Sequence, residues 1–234
     1  MPASDAPGPL IGAGRAADVY AIGSGRVLRR YRVPFDVRAE AEMMRHLSQA
    51  GYPVPAVYDA DGRDLVMERL DGRDMLADVS RRPWLARRHA RTLADLHDRL
   101  HQITAPPGWP QVVGPGQAVL HLDLHPGNVM LTSRGPVVID WSNVRSGPAG
   151  ADIAMAYLIM ASSEIDDFPL RVRATVGAFR GAFIRYFLLA ARDDPAPHIA
   201  RVARHRMTDP NVRPQEADWL ARRAAEAERA DAES

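Results

Sequence analysis

The chain of 234 residues contains no cysteine. That excludes disulfides, thiol nucleophiles, thiolate zinc sites and iron–sulfur clusters. It also contains no lysine, so all 30 basic residues are arginine. A lysine Schiff base, a lysine general base and the lysine of a Walker P-loop are therefore excluded. There is almost no charge excess: 30 basic against 29 acidic residues give a formal net charge of +1. Such a balance argues against a nucleic-acid partner, which calls for a clear basic surplus. Long apolar runs are missing too. No stretch reaches the ~18 residues needed to span a bilayer: Asp152 and Glu164 bracket the best one, and Arg180 and Arg185 interrupt the run around Phe183. Residues 1–9 show no charged segment followed by an apolar one. No secretion signal and no membrane partner are expected, and a cytoplasmic location is.

What is present is globular. Hydrophobic residues make up 46% and charged residues 25% of the chain, enough for one large or two small domains with a sizeable core. Residues 1–9 are small and Pro-rich and read as a flexible tail. Over 10–70 the order reads strand, strand, helix, strand, strand. Val19–Ile22 turns through Gly23-Ser24-Gly25 into Val27-Leu28, and Val37, Met43, Met44 and Leu47 mark the helix before its stop at Gly51. From 71 onward helical patterns dominate, at 75–79, 84–103, 151–161, 168–192, 196–207 and 214–230. A Pro- and Gly-rich connection covers 105–117, and residues 218–233 read as a solvated, fraying helix. The expected fold class is α+β with two lobes: a small antiparallel-sheet N-terminal lobe with one helix over 10–70, and a larger, mostly helical C-terminal lobe over 71–234.

The most distinctive segment is His121-Leu122-Asp123-Leu124-His125-Pro126-Gly127-Asn128, followed by Val137-Val138-Ile139-Asp140-Trp141. It fits H-x-D-x-x-x-x-N, then a short hairpin, then an acid at a strand end. The spacing has a physical logic. One carboxylate must reach a hydroxyl, a neutral amide a few residues on must reach a metal ion, and a second carboxylate must approach that ion from a neighbouring strand. Pro126-Gly127 supplies the turn that returns Asn128 toward Asp123. Upstream, Ile11-Gly12-Ala13-Gly14 through Val19-Tyr20 matches G-x-G-x-x-G-x-V with Ala17 at the third glycine. Gly12, Gly14 and Val19 mark a glycine-rich loop leading into a strand, whose backbone amides suit phosphates; an ordinary hairpin turn is the competing reading. By strand alternation Val27 and Arg29 share a face. Glu40, three and four residues before Met43 and Met44, points to the apolar side of its helix, whereas Glu42 faces solvent.

Two metal readings compete. His121, Asp123 and His125 alternate on an extended segment, and His97 and His101 are one helical turn apart. The first leaves Asn128 and Asp140 unexplained; the second sits in an ordinary amphipathic pattern with Leu96 and Leu100. The Arg pairs at 81–82, 87–88 and 222–223 read as solvated helix faces.

These motifs resemble the aminoglycoside phosphotransferase / choline kinase-like family, of protein-kinase-like fold, over about residues 10–165. The resemblance includes Gly51-Tyr52-Pro53-Val54-Pro55, Met67-Glu68-Arg69-Leu70-Asp71-Gly72 and Asp152. It implies transfer of the γ-phosphate of ATP or GTP to a hydroxyl of a small-molecule acceptor, with Mg²⁺. It implies adenine contacts from the backbone of Glu68 and Leu70 in the hinge, Asp123 as base, and Asn128 and Asp140 as Mg²⁺ ligands. His121 would orient the catalytic loop, and Asp152 would brace it from inside the core. The departure is Arg29, where the family has lysine. A planar bidentate guanidinium is not equivalent to an ammonium at a phosphate site, so a nucleotide-binding pseudokinase is the alternative expectation. Glu164, Asp166 and Asp167 form the compact acidic group that a polycationic acceptor would need. No feature sets an oligomeric state.

Overall fold

A computed structural model describes residues 7–14, 16–162 and 170–232. Along the chain run β1 (Leu10–Ala13), β2 (Ala17–Ala21), β3 (Arg26–Tyr31), α1 (Val37–Gln49), β4 (Val57–Asp61), β5 (Asp64–Glu68), β6 (Gly72–Asp74), α2 (Met75–Arg81) and α3 (Ala86–His101). Then come β7 (Ala118–Leu120), β8 (Val129–Thr132), β9 (Gly135–Val138), β10 (Arg145–Gly147), α4 (Ala149–Ser162), α5 (Leu170–Ala190), α6 (Ile199–Arg206) and α7 (Pro214–Ala232).

The elements fall into two compact units. One comprises the residues up to Asp74 together with Val129–Val144; the other comprises Met75–Asn128 and the chain from Arg145 on. The division thus lies at Asp74 rather than at 70, and the β8–β9 hairpin joins the first unit. The reason is pairing at long range: β6 pairs with β8 from Gly72↔Thr132 to Asp74↔Met130, and β8 with β9. No local periodicity announces such a partner.

In the first unit an antiparallel sheet runs β1-β2-β3-β5-β4. The sequence reading gave four strands here; β1 is a fifth, formed because its backbone finds β2, with a bulge between Leu10 and Gly12. Helix α1 starts where the Asp36 side chain accepts from the Arg38 N–H at 3.0 Å. It ends in a Schellman motif: Tyr52 N–H donates to Leu47 O at 2.9 Å and Gly51 N–H to Ser48 O at 3.0 Å. Gly51 sits at φ +75°, a conformation that glycine adopts without penalty. Just beyond, Val138 N–H donates to Pro53 O at 2.8 Å, and the buried Trp141 ring meets Tyr52 edge-on at 5.7 Å. These contacts fix the segment after β9 against the end of α1.

The second unit is helical around a core that includes Leu120, Leu122, Ala154, Leu158, Val202 and Leu220. Helix α4 is buried over most of its circumference, which is why its sequence shows no amphipathic stripe. Helix α7 is not the solvated helix its composition suggests: Leu220 and Ala224 are buried in this core. Leu220 and Ala224, four apart, anchor a helix rich in charge, with Trp219 packed against the same core. Among the described residues no helix is long and apolar enough to cross a membrane.

Candidate active site

In the first unit, β1 and β2 form the glycine-containing hairpin, with Gly12 opposite Val19 and Gly14 N–H donating to Ala17 O at 2.9 Å. A Cβ on Gly14 would stand 3.3 Å from that carbonyl oxygen, tighter than ordinary contact. The backbone closes tightly there because glycine leaves room. Arg15, within the same motif, lies outside the described residues.

Strand β3 turns Arg29 inward, as alternation from Val27 requires; its residue is 9% exposed. The guanidinium forks. Nη1 donates to Glu40 Oε1 at 3.0 Å and Nη2 to Asp140 Oδ1 at 2.5 Å. Glu40 is buried while Glu42 is exposed, the two faces expected of α1. Its second oxygen accepts from Tyr31 Oη at 2.7 Å. Sequence reasoning missed Tyr31, although it lies two residues from Arg29 and so on the same face of β3. Burial alone favours loss of the Arg29 proton, but the carboxylates of Asp140 and Glu40 outweigh it and push its pKa up. Burial pushes the Glu40 pKa up, against the opposing pull of Arg29 and the Tyr31 hydroxyl. Asp140 itself stands in the left-handed region at φ 68°, a strained place for a residue with a side chain. The Ser142 hydroxyl also donates to its Oδ1, at 3.1 Å.

Glu68 ends β5. Its N–H is engaged with Ala56 O at 2.8 Å, and its carboxylate accepts from Ala56 N–H at 3.1 Å and from Arg134 Nη2 at 2.7 Å. Leu70 follows, half-buried, between β5 and β6. Arg134, in the β8–β9 turn, has no sequence signal for this pairing.

In the second unit, a 3-10 turn over Pro126–Asn128 brings Asn128 back on Asp123. Its Nδ2 donates to the Asp123 backbone carbonyl at 2.8 Å and to Oδ2 at 3.0 Å. His125 Nε2 stands 3.8 Å from Asp123 Oδ1, and His125 Nδ1 accepts from Gly127 N–H at 3.1 Å. His125 is thus turned into the loop rather than paired with His121 as a metal ligand. The Asp123 side chain is 24% exposed, so its carboxylate is both held and reachable.

Behind this loop lies Asp152 of α4, 1% exposed. Its Oδ1 accepts from Leu122 N–H at 2.7 Å and its Oδ2 from His121 N–H at 3.1 Å. Leu122 adopts φ 60°, so the carboxylate holds a strained residue directly before Asp123. The His121 side chain is fully buried. Two imidazoles from α3 reach the same carboxylate: His101 Nε2 at 3.2 Å and His97 Nδ1 at 3.4 Å. His97 Nε2 also donates to Leu124 O at 3.2 Å. The helical spacing of these two histidines was legible; their shared partner, 51 residues beyond His101, was not. Burial pushes the Asp152 pKa up, but His101 and His97 hold it well below the usual carboxylate range. The acidic group Glu164, Asp166 and Asp167 lies outside the described residues.

Each unit has oxygen of the kind a hard divalent cation takes: the Asp140 carboxylate in the first, and in the second the amide oxygen of Asn128, whose Nδ2 is committed to Asp123.

This fold is shared with small-molecule kinases. Aminoglycoside phosphotransferase APH(2'')-Ib, solved with ADP, matches at 14% identity over 93% of each chain with a TM-score of 0.61. A choline/ethanolamine kinase family protein from Mesorhizobium loti matches at 17% identity, over 94% of this chain and 88% of that one, with a TM-score of 0.57. The amicoumacin kinase hAmiN, solved in complex with AMP-PNP, Ca²⁺ and Ami, matches at 17% identity over 95% of this chain and 88% of that one, with a TM-score of 0.52. No curated protein sequence matches the chain. The sequence profile of the Phosphotransferase enzyme family (APH) matches residues 8–118 and 104–198. The chain therefore belongs to the APH phosphotransferase family.

Proposed function

We propose that the protein is a kinase working in the cytoplasm, moving the γ-phosphate of ATP or GTP to a hydroxyl of a small molecule. The observation that supports this best is the Asp123–Asn128 pair. A partly exposed carboxylate is clamped by an amide five residues on, in a loop whose preceding amides end on a buried anion. That is the preorganisation a general base needs.

In this reading the acceptor oxygen attacks the γ-phosphorus and the bond to the β–γ bridging oxygen breaks. The nucleoside diphosphate leaves, and the hydroxyl proton passes to the Asp123 carboxylate. Asn128 and Asp140 are the residues that would hold Mg²⁺, which when bound offsets charge on the phosphates. The β1–β2 hairpin, with Gly12, Gly14 and Val19, would lie over the phosphates, and the backbone of Glu68 and Leu70 would meet the base. Arg29 keeps Glu40 and Asp140 in register with one another through its fork. The pseudokinase reading has one observation in its favour, the occupation of Asp140 by Arg29.

The test is nucleoside diphosphate release from ATP or GTP with Mg²⁺ across a library of alcohols, wild type beside Asp123→Asn. Loss of the base should slow turnover ~10²–10⁴-fold while nucleotide affinity and the melting temperature hold. Nucleotide binding with no acceptor-dependent release in the wild type would favour the pseudokinase.

A further inference from the structure

We infer that His101 is a positioning residue: held as an imidazolium between Asp152 and Asp193, it straps the segment after α5 to the carboxylate that fixes the Asp123 loop. The inference rests on the phosphotransferase reading only in calling that loop catalytic.

Both ring nitrogens of His101 face carboxylate oxygens. Nδ1 lies 2.7 Å from Asp193 Oδ2 and Nε2 lies 3.2 Å from Asp152 Oδ2. A carboxylate only accepts, so each nitrogen must carry a proton and the ring a positive charge. The ring is sealed from water, its side chain 4% exposed, whereas the Asp193 side chain is 34% exposed. One end of the strap is thus open to solvent and the other is in the core. From Asp152 the path continues through its hydrogen bonds to the His121 and Leu122 amides, two residues and one residue before Asp123.

Other charged groups around the ring do not replace this role. On its own helix, His97 is 5.6 Å away ring to ring and spends Nε2 on Leu124 O. From the segment after α5, Arg192 reaches Asp98 at 3.2 Å rather than Asp193. Helix α5 presents Phe187 to His97, and β7 contributes only Ala118, Val119 and Leu120. Burial would discharge His101, but Asp152 and Asp193 outweigh it and push its pKa up to about 9. A rival occupant exists for the same atoms. His97, His101 and Asp152 each offer a ligand atom within 4.8 Å of the others. A zinc ion there requires His101 Nε2 to be bare of its proton.

The test uses the full chain with ¹⁵N-labelled histidine. At pH 7 both His101 nitrogens should give imidazolium shifts and titrate near pH 9, the value its surroundings set. Asp193→Asn keeps the shape and removes the outer charge. It should lower that titration toward 6.5 and speed hydrogen exchange at the Leu122 amide by at least ~tenfold, leaving the Val202 amide of α6 unchanged. His101→Gln should speed Leu122 exchange as well and abolish the change in its protection factor, the rate relative to an unfolded amide, between pH 8 and 10. A neutral His101 at pH 7, unchanged Leu122 exchange in Asp193→Asn, or stoichiometric zinc in the purified protein would each overturn the strap. If the exchange results hold but the wild type phosphorylates nothing, the catalytic reading fails and the strap stands.

Discussion

Each unit holds a buried carboxylate, and their surroundings treat the two in opposite ways. Glu40 is 3% exposed and Asp152 1%, so burial works against the charge of both. Yet the Glu40 pKa is pushed up and that of Asp152 is pulled down. The difference is in the donors. Glu40 has one cation, Arg29, which it shares with Asp140, and Asp140 adds its own negative charge nearby. Asp152 has two backbone amides, and two imidazoles approach it. Glu40 also accepts from the Tyr31 hydroxyl, so what separates the two is the divided cation and the second carboxylate beside Glu40, which leave its burial uncompensated.

The comparison breaks most visibly at Asp152. Asp152→Ala removes the partner of two amides and leaves an imidazolium buried without its inner anion. Breaking such an arrangement costs about 3–5 kcal/mol, so the melting temperature should drop sharply and turnover should vanish with it. An unchanged melt would show that neither the amides nor the imidazoles depend on that carboxylate.

Arg29→Lys tests the divided cation with a smaller effect. An ammonium is a point charge and does not reproduce the fork. One of the two pairs should be lost, a cost of about 1.5 kcal/mol on urea unfolding, with turnover within about tenfold, or ~1.4 kcal/mol of barrier. A variant as stable as wild type would mean that bridging Glu40 to Asp140 contributes nothing.

Glu40→Gln should have the smallest effect at neutral pH, below about 1 kcal/mol, and it sharpens the comparison through its pH dependence. Because Glu40 titrates higher in the folded chain than its ordinary 4.5, the native state binds the extra proton. Stability therefore falls as pH rises from 4.5 through the raised value, and the glutamine variant lacks that decline. Asp152 has the reverse sign: its contribution is present above its ordinary 3.8 and is lost as pH falls through the depressed folded value. Unfolding curves between pH 3 and 7 for both proteins check this, and parallel curves would count against it.

How much of this was legible in the sequence follows from the range of each interaction. Alternation turned Arg29 inward and helical spacing set Glu40 on the buried face, because both are local periodicities. The turn at Pro126-Gly127 and its return to Asp123 span five residues and were legible for the same reason. The second prong of Arg29 crosses 111 residues to Asp140, and His101 reaches 92 residues to Asp193. Periodicity says which way a side chain faces and nothing about what it will meet. The same limit hid β1, whose ladder depends on β2, and the core side of α7, where two apolar residues are outnumbered by charged neighbours.

Leu122 at φ 60° and Asp140 at φ 68° share one backbone state, and that state narrows which substitutions can interrogate them. A β-branched replacement at either position would report backbone misfit before it reported chemistry. Asparagine is the side chain that most readily keeps the left-handed conformation while discarding the charge. At Asp140 it separates the contribution of charge from that of chain direction, which alanine would confound. No such neutral twin exists for Leu122, whose buried side chain and left-handed backbone ask for different residues. Drift at that position is therefore constrained from two sides, by the core it fills and by the turn it makes.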